Sequence, residues 1–206
     1  MKHPICLGIT GASGAIYAVR LLEVLRAAGR DVHLSISPSG RDVIQQELNL
    51  QIDLDHLDAN RLRLSDSPSD HSRDLKGGVT YYHHQDFMAP MASGSFLTAG
   101  MVICPCSGTT LSAVAAGAAG NLIQRAAEVH LKERRRLILV PRETPLSLTH
   151  IENMRRCVEA GAIVLPASPG WYHGVHAIRD LVDFVVARIC DQLGIEHALT
   201  KRWGTS

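Results

Sequence analysis

A repeated unit constrains this chain more than anything else in it: a short apolar run stops at a small-residue turn and passes straight into a helical pattern. Ile5 to Thr10 is such a run. It ends in Gly11-Ala12-Ser13-Gly14 and continues as Ala15 to Ala28, with apolar side chains at helical spacing and Gly29 as the stop. Val32 to Ser37 alternates as a second strand, and a Ser37-Pro38-Ser39-Gly40 turn leads into a helix over Ser39 to Leu48. Met101 to Cys106 repeats the pattern, opening through Ser107-Gly108-Thr109-Thr110 into an Ala/Gly-rich helix from Leu111 to Ala119. An amphipathic stretch from Asn121 to Arg135, a strand from Leu137 to Val140, a helix from Ser147 to Ala160, a strand from Ile163 to Leu165 and a helix from His176 to Leu193 complete the series. Strands this apolar must be covered on both faces, so the alternation predicts an α/β fold: a parallel, Rossmann-like sheet in a three-layer αβα sandwich.

Between the second and third units the pattern dissolves. Asn49 to about Thr80 is rich in Asp, Ser, Arg and His and reads as a solvated excursion with one short helix; Val79 to His83 reads as a strand and Asp86 to Ser95 as a loop. The 206 residues, 46% hydrophobic and 20% charged, suit one domain over 1–206. Lys plus Arg total 21 against 20 Asp plus Glu, so no overall field draws the chain to nucleic acid or to an anionic membrane, and any bound anion must be held locally. Five scattered cysteines read as reduced thiols of a cytoplasmic protein, and no apolar run approaches the roughly 20 residues of a membrane span. The eleven histidines show no metal-ligand spacing, so no metal is expected. His83 and His84 are expected on opposite faces of a strand, and Cys104 and Cys106 on one face, as packing residues.

In parallel sheets ligands sit beyond the carboxyl ends of the strands. That rule gathers four loops onto one edge: Gly11 to Gly14, Ser37 to Gly40, Cys106 to Thr110 and Arg142 to Thr144. Glycine lets backbone N–H groups approach an anion, each following helix offers its positive end, and Ser13, Ser37, Ser107, Thr109 and Thr110 add hydroxyls. Each loop taken singly also fits a plain helix cap; together they suit an aromatic mononucleotide. Arg142 can meet a phosphate or flavin oxygen, and Glu143 can move a proton. Arg188, inside the apolar helical stretch Phe184-Val185-Val186-Ala187-Arg188, needs an anionic partner, and its setting favours a structural one. Arg125 and Lys132, seven residues apart, share a helical face that also reads as plain solvated basic surface.

With these segments assembled, the chain resembles the UbiX-type flavin prenyltransferases, within the superfamily of homo-oligomeric flavoproteins that also holds flavin-dependent cysteine decarboxylases. The resemblance runs through Gly8 to Ala15, Ala92-Ser93-Gly94-Ser95, Met101 to Ser107, Arg125 to Glu128, Leu131 to Arg135, Val140 to Pro145 and Tyr172-His173, nearly the whole chain. It implies that reduced FMN is held by Gly11, Ala12, Ser13, Ser37, Ser107, Gly108, Thr109, Thr110, Arg125 and Arg142. It further implies that Lys132, Tyr172 and Arg188 hold the phosphate of dimethylallyl phosphate, with Ser93, Gly94 and Trp203 beside the substrate and Ser13, Glu47, Lys132 and Glu143 taking part in the chemistry. The implied product is prenylated FMN, used by a partner UbiD-type decarboxylase. The implied assembly is a dodecamer with the site at a subunit interface, completed by the C-terminal helix and tail of about 176–206. Phe87 stands where many such proteins carry Trp, and Met91 breaks their Pro-Pro-Ala-Ser-Gly-Ser form, which bears on the wall facing the allyl group. Two alternatives stay open: a flavin-dependent decarboxylase of the same superfamily, and an FMN carrier without chemistry. The decarboxylases use a His near the first helix and an Asn-containing substrate motif, where this chain has Ser13 and Pro141-Arg142-Glu143-Thr144-Pro145.

Overall fold

The computed structural model describes residues 3–64, 75–172 and 174–200. Six parallel strands form one sheet in the order β3-β2-β1-β4-β5-β6: β1 Ile5–Ile9, β2 Val32–Ile36, β3 Val79–Tyr81, β4 Gly100–Cys106, β5 Leu137–Pro141 and β6 Ile163–Val164. The helices are α1 Ala15–Ala27, α2 Pro38–Leu48, α3 Gly108–Ala116, α4 Leu122–Lys132, α5 Leu148–Glu159 and α6 Ile178–Leu193. The three-layer αβα sandwich expected from the sequence is the fold.

The alternation of side chains along each strand assigns the layers. Ile5, Leu7 and Ile9 of β1 and Val32, Leu34 and Ile36 of β2 point into a core shared with α1, α2 and α6. Cys6, Met101, Ile103, Leu137 and Leu139 point the other way, against α3, α4 and α5. Gly8 lets α4 settle onto the second face, because a Cβ there would stand 2.7 Å from Cγ2 of Ile123. The order of strand addition switches sides between β1 and β4, which opens the crevice where open α/β sheets bind ligands.

Helix bounds differ from the sequence reading where capping decides them. α3 begins at Gly108, because Ser107 is its N-cap and the Gly-Thr-Thr stretch is already its first turn; Gly117, at φ 67°, ends it before Ala119. α4 stops at Lys132, with Arg134 in left-handed conformation at φ 55°. α6 starts at Ile178, since the Asp180 carboxylate accepts from the amides of His176 and Ala177. Among its described residues the excursion after α2 holds the short 3-10 turn Ala59–Arg61, while Ser65 to Asp70 lie outside the described residues.

Two side-chain placements correct the sequence reading. Cys104 lies in the α1/α6 core and Cys106 in the α3/α5 core, on opposite faces, because the β4–β5 register shifts between Ile103 and Cys106 and breaks the two-residue alternation. His83 and His84 fall beyond the end of β3, and their rings meet at 4.2 Å instead of pointing apart.

Arg20 of α1 ties the α1/α6 layer together. It donates to Asp183 of α6 at 2.6 and 3.3 Å and to Glu23 at 3.3 Å, and Glu23 in turn accepts from the amide of Leu64. Burial pushes the Glu23 carboxyl above its usual range, against the pull of Arg20.

Candidate functional site

Because the strands are parallel, the turns after β1, β2, β4 and β5 emerge on one edge. Thr10 clamps two of them. Its hydroxyl donates to the carbonyl of Pro105 at 2.7 Å and accepts from the amide of Ser107 at 2.8 Å, and its own amide donates to Pro105 O at 3.2 Å. The residue is 2% exposed. Its position at the end of the first apolar run gave no sign of this role, since a β-branched residue at a strand end reads simply as strand.

The β1 turn is pressed against α2. A Cβ on Gly11 would collide with Cβ of Ser39, and one on Gly40 would stand 2.7 Å from the carbonyl oxygen of Ile9. Only glycine permits this approach. Ala12 is buried, its amide donating to Thr10 O at 2.9 Å. Gly14, at φ 113°, begins α1 and has no side chain to cap it; Glu47 of α2 does so instead, accepting from Gly14 N at 2.9 and 3.1 Å and from Ala15 N at 2.8 Å. The positive end of α1 is therefore already met by a carboxylate. Glu47 acts on the turn by holding it, a role its sequence position did not reveal.

The ends of α2 and α3 are organised differently. Ser37 accepts from Gly40 N at 3.0 Å and Ser107 from Thr110 N at 3.3 Å, each serine satisfying one first-turn amide of its helix. The Ser107 hydroxyl also donates to Thr110 Oγ1 at 3.1 Å. From β5, Arg142 reaches across to donate from Nε to the carbonyl of Ser13 at 3.3 Å. Glu143 beside it is exposed, its carboxylate accepting from the amide of Thr144 at 3.1 Å. Hydroxyls, two helix N-termini and one guanidinium converge here, a donor set that suits a phosphate-bearing ligand. Cys106, at the same edge, is no nucleophile: burial pushes its thiol far up, so it stays protonated.

A second group forms along α4. Arg125 donates to the carbonyl of Ala92 at 3.2 Å and to Glu128 at 2.7 Å, and Arg135 donates to the carbonyls of Phe96 and Gly94. These arginines pin the 92–96 loop to the helix. Gly94 passes so close to Lys132 and Glu133 that a Cβ would stand 2.9 Å from the lysine Nζ. Lys132 donates to Glu133 at 2.7 Å and holds that carboxyl below its usual range, and Ser93 shares a hydrogen bond with Ser95 at 2.9 Å. Since α4 runs back from the carboxyl edge toward the start of β5, Lys132, Ser93 and Gly94 lie toward the amino edge of the sheet.

Tyr172 and Arg188 belong to the other layer. The Tyr172 ring meets Phe184 edge-on at 5.9 Å, and Arg188 follows Phe184 by one helical turn, so both flank one face of α6. Arg188 is exposed and pairs with Asp191 at 3.1 Å, so the structural partner expected for it sits on its own helix. Within one chain the sheet separates Lys132 from Tyr172 and Arg188. Trp203 and His173 lie outside the described residues. Among the described residues no cluster of side chains could hold a metal ion, and no helix is long and apolar enough to cross a membrane.

The Flavoprotein family model matches residues 1–190. The flavin prenyltransferase UbiX of Pseudomonas aeruginosa is 48% identical over 200 residues, covering 97% of this chain and 93% of that protein. Among solved structures, AnUbiX in complex with FMN and dimethylallyl pyrophosphate is 35% identical over 100% of both chains, with a TM-score of 0.83. A dodecameric FMN-dependent UbiX-like decarboxylase from Escherichia coli is 37% identical, again over 100% of both chains, with a TM-score of 0.81. Sequence identity at this level along the entire fold makes this chain a member of the Flavoprotein family and, within it, of the UbiX flavin prenyltransferases.

Proposed function

We propose that this protein joins the dimethylallyl group of dimethylallyl phosphate to N5 and C6 of reduced FMN, releasing phosphate and giving prenylated FMN for a UbiD-type decarboxylase. The observation that carries the reading is the 48% identity to a flavin prenyltransferase over 97% of the chain. The carboxyl-edge donor set supports it independently. Ser37, Ser107, Thr109, Thr110 and the first-turn amides of α2 and α3 suit the FMN phosphate and ribityl hydroxyls, and Gly11 to Ser13 with Arg142 suit the rest of the flavin. Arg125 is assigned to the same ligand. The relatives' names favour prenyl transfer over the decarboxylase alternative, and a carrier role leaves Glu143 and Arg188 without a use.

Reduced FMN supplies the electron-rich ring atoms that accept the allyl group. The chain supplies the rest. As the allylic C–O bond breaks, charge grows on the departing phosphate, and Lys132 and Arg188 stabilise it electrostatically, with the Tyr172 hydroxyl as a further donor and no metal required. Ser93, Gly94 and Trp203 are assigned beside the substrate, and Phe87 to the wall facing the cationic allyl fragment. Ring closure at C6 releases a proton, for which Glu143, Ser13 and the phosphate are the acceptors within the assigned set. Glu47 holds Ser13 in place through the amides of Gly14 and Ala15.

Lys132 and Arg188 stand on opposite faces of one sheet, so a shared phosphate requires two chains. This supports a site at a subunit interface in a homo-oligomer, completed by α6 and the following tail; five free thiols suit the cytoplasm. The test is subunit mixing. Lys132→Gln and Arg188→Gln, each inactive alone in phosphate release, are expected to regain activity when co-expressed, because some interfaces then carry both wild-type residues. Absence of recovery in mixed oligomers contradicts the two-chain site.

A further inference from the structure

Gly194, at φ 67°, ends α6 and turns the chain back onto the α1/α6 layer, where Ile195 is 6% exposed and the His197 side chain 3%. The imidazole is held at both nitrogens. Nδ1 accepts from the amide of Leu199 at 3.4 Å, and since an amide can only donate, the ring proton sits on Nε2. Nε2–H donates to Oδ1 of Asp191 at 3.2 Å, while Oδ2 of Asp191 accepts from Nη1 of Arg188 at 3.1 Å. A buried ring thus fixes a carboxylate that is 19% exposed, and the carboxylate grips a guanidinium that is 54% exposed.

We propose that Asp191, oriented by His197, is the positioning residue that aims Arg188 at the phosphate of the allylic substrate. The proposal rests on the reading of Arg188 as a phosphate ligand. A long, exposed arginine samples many rotamers, and recognition of a phosphate by two parallel N–H groups requires one of them. Engaging Nη1 at 3.1 Å leaves Nε and Nη2 for the substrate and restrains the side chain before it arrives. The start of the tail after α6 then acts on the site through His197.

The sign of one variant separates positioning from charge. Asp191→Ala removes a negative charge, and charge alone would tighten an anionic ligand. Loss of orientation weakens it. Calorimetric titration of dimethylallyl phosphate into protein loaded with oxidised FMN measures this without turnover, and the KM for dimethylallyl phosphate measures it during turnover. Asp191→Ala is expected to weaken binding about tenfold and raise KM in parallel, with kcat lowered as well because Arg188 also stabilises the departing phosphate, and with FMN affinity within about twofold of wild type. His197→Leu is expected to move binding the same way, and His197→Gln, which keeps an N–H donor for Asp191, to restore most of it. In the double variant with Arg188→Gln, Asp191→Ala adds nothing further.

Binding that is unchanged or tighter in Asp191→Ala, while Arg188→Gln weakens it, overturns the positioning role and leaves the ligand role of Arg188 intact. Unchanged binding in Arg188→Gln overturns the ligand role, and the proposal with it.

Discussion

Replacing Thr10 by valine tests the clamp between β1 and β4 with almost no change of shape. Thr10 Oγ1 makes two bonds, to Pro105 O at 2.7 Å and from Ser107 N at 2.8 Å. The carbonyl does not go unpaired in the variant, because the Thr10 amide also reaches it at 3.2 Å. The amide of Ser107 is left without its acceptor. A buried donor stripped of its partner costs about 1–3 kcal/mol, so Thr10→Val should lose about 2 kcal/mol. For a chain of 206 residues that corresponds to a fall in Tm of about 4–8 °C. Ser107 is also the N-cap of α3, so its drift disturbs the assigned phosphate seat, and FMN affinity should fall about tenfold. Chemical denaturation of the apoprotein and quenching of flavin fluorescence measure the two effects separately. Thr10→Ser, which keeps the hydroxyl, should lie close to wild type in both. Wild-type stability and FMN affinity in Thr10→Val would refute the clamp.

Glu47→Ala removes the carboxylate from the α1 N-terminus and should cost about 1 kcal/mol, less at high salt because the residue is exposed; a salt-independent loss argues against the helix-end interaction. Gly11→Ala should weaken FMN binding and lower stability together, since its Cβ would collide with Cβ of Ser39 at the start of α2, and titration with FMN and chemical denaturation read the two effects. Burial pushes the imidazoles of His130, His33 and His84 below their ordinary value. Each therefore contributes stability that is fully present above about pH 6.5 and is lost as pH falls below it, because the unfolded chain binds the protons there. Denaturation midpoints should drop on that acid side, and His130→Asn, which retains a donor for Ala126 O, should flatten part of the slope.

The layer order and the carboxyl-edge loops were legible in the sequence because they follow from local rules: apolar runs, glycine turns and serine caps at Ser37 and Ser107. What escaped depends on contacts between residues distant in the chain. Thr10 bonds to residues 95 and 97 positions away, and Glu47 reaches back 33 positions to Gly14. The opposite placement of Cys104 and Cys106 comes from a register shift in pairing with β5, which strand alternation alone does not predict. Arg188 reads as embedded because its sequence neighbours are apolar, yet helical periodicity turns it outward between Ala187 and Ile189, where Asp191 meets it. That Lys132 and Arg188 face different layers became visible only once the two core faces were assigned.

The central claim is covalent transfer to the flavin, and the mass of the flavin reads it most directly. Reduced FMN and dimethylallyl phosphate, incubated anaerobically with the protein and then extracted, should yield a flavin heavier by one five-carbon unit, with one phosphate released for each flavin altered. FMN recovered at its original mass under those conditions contradicts the account.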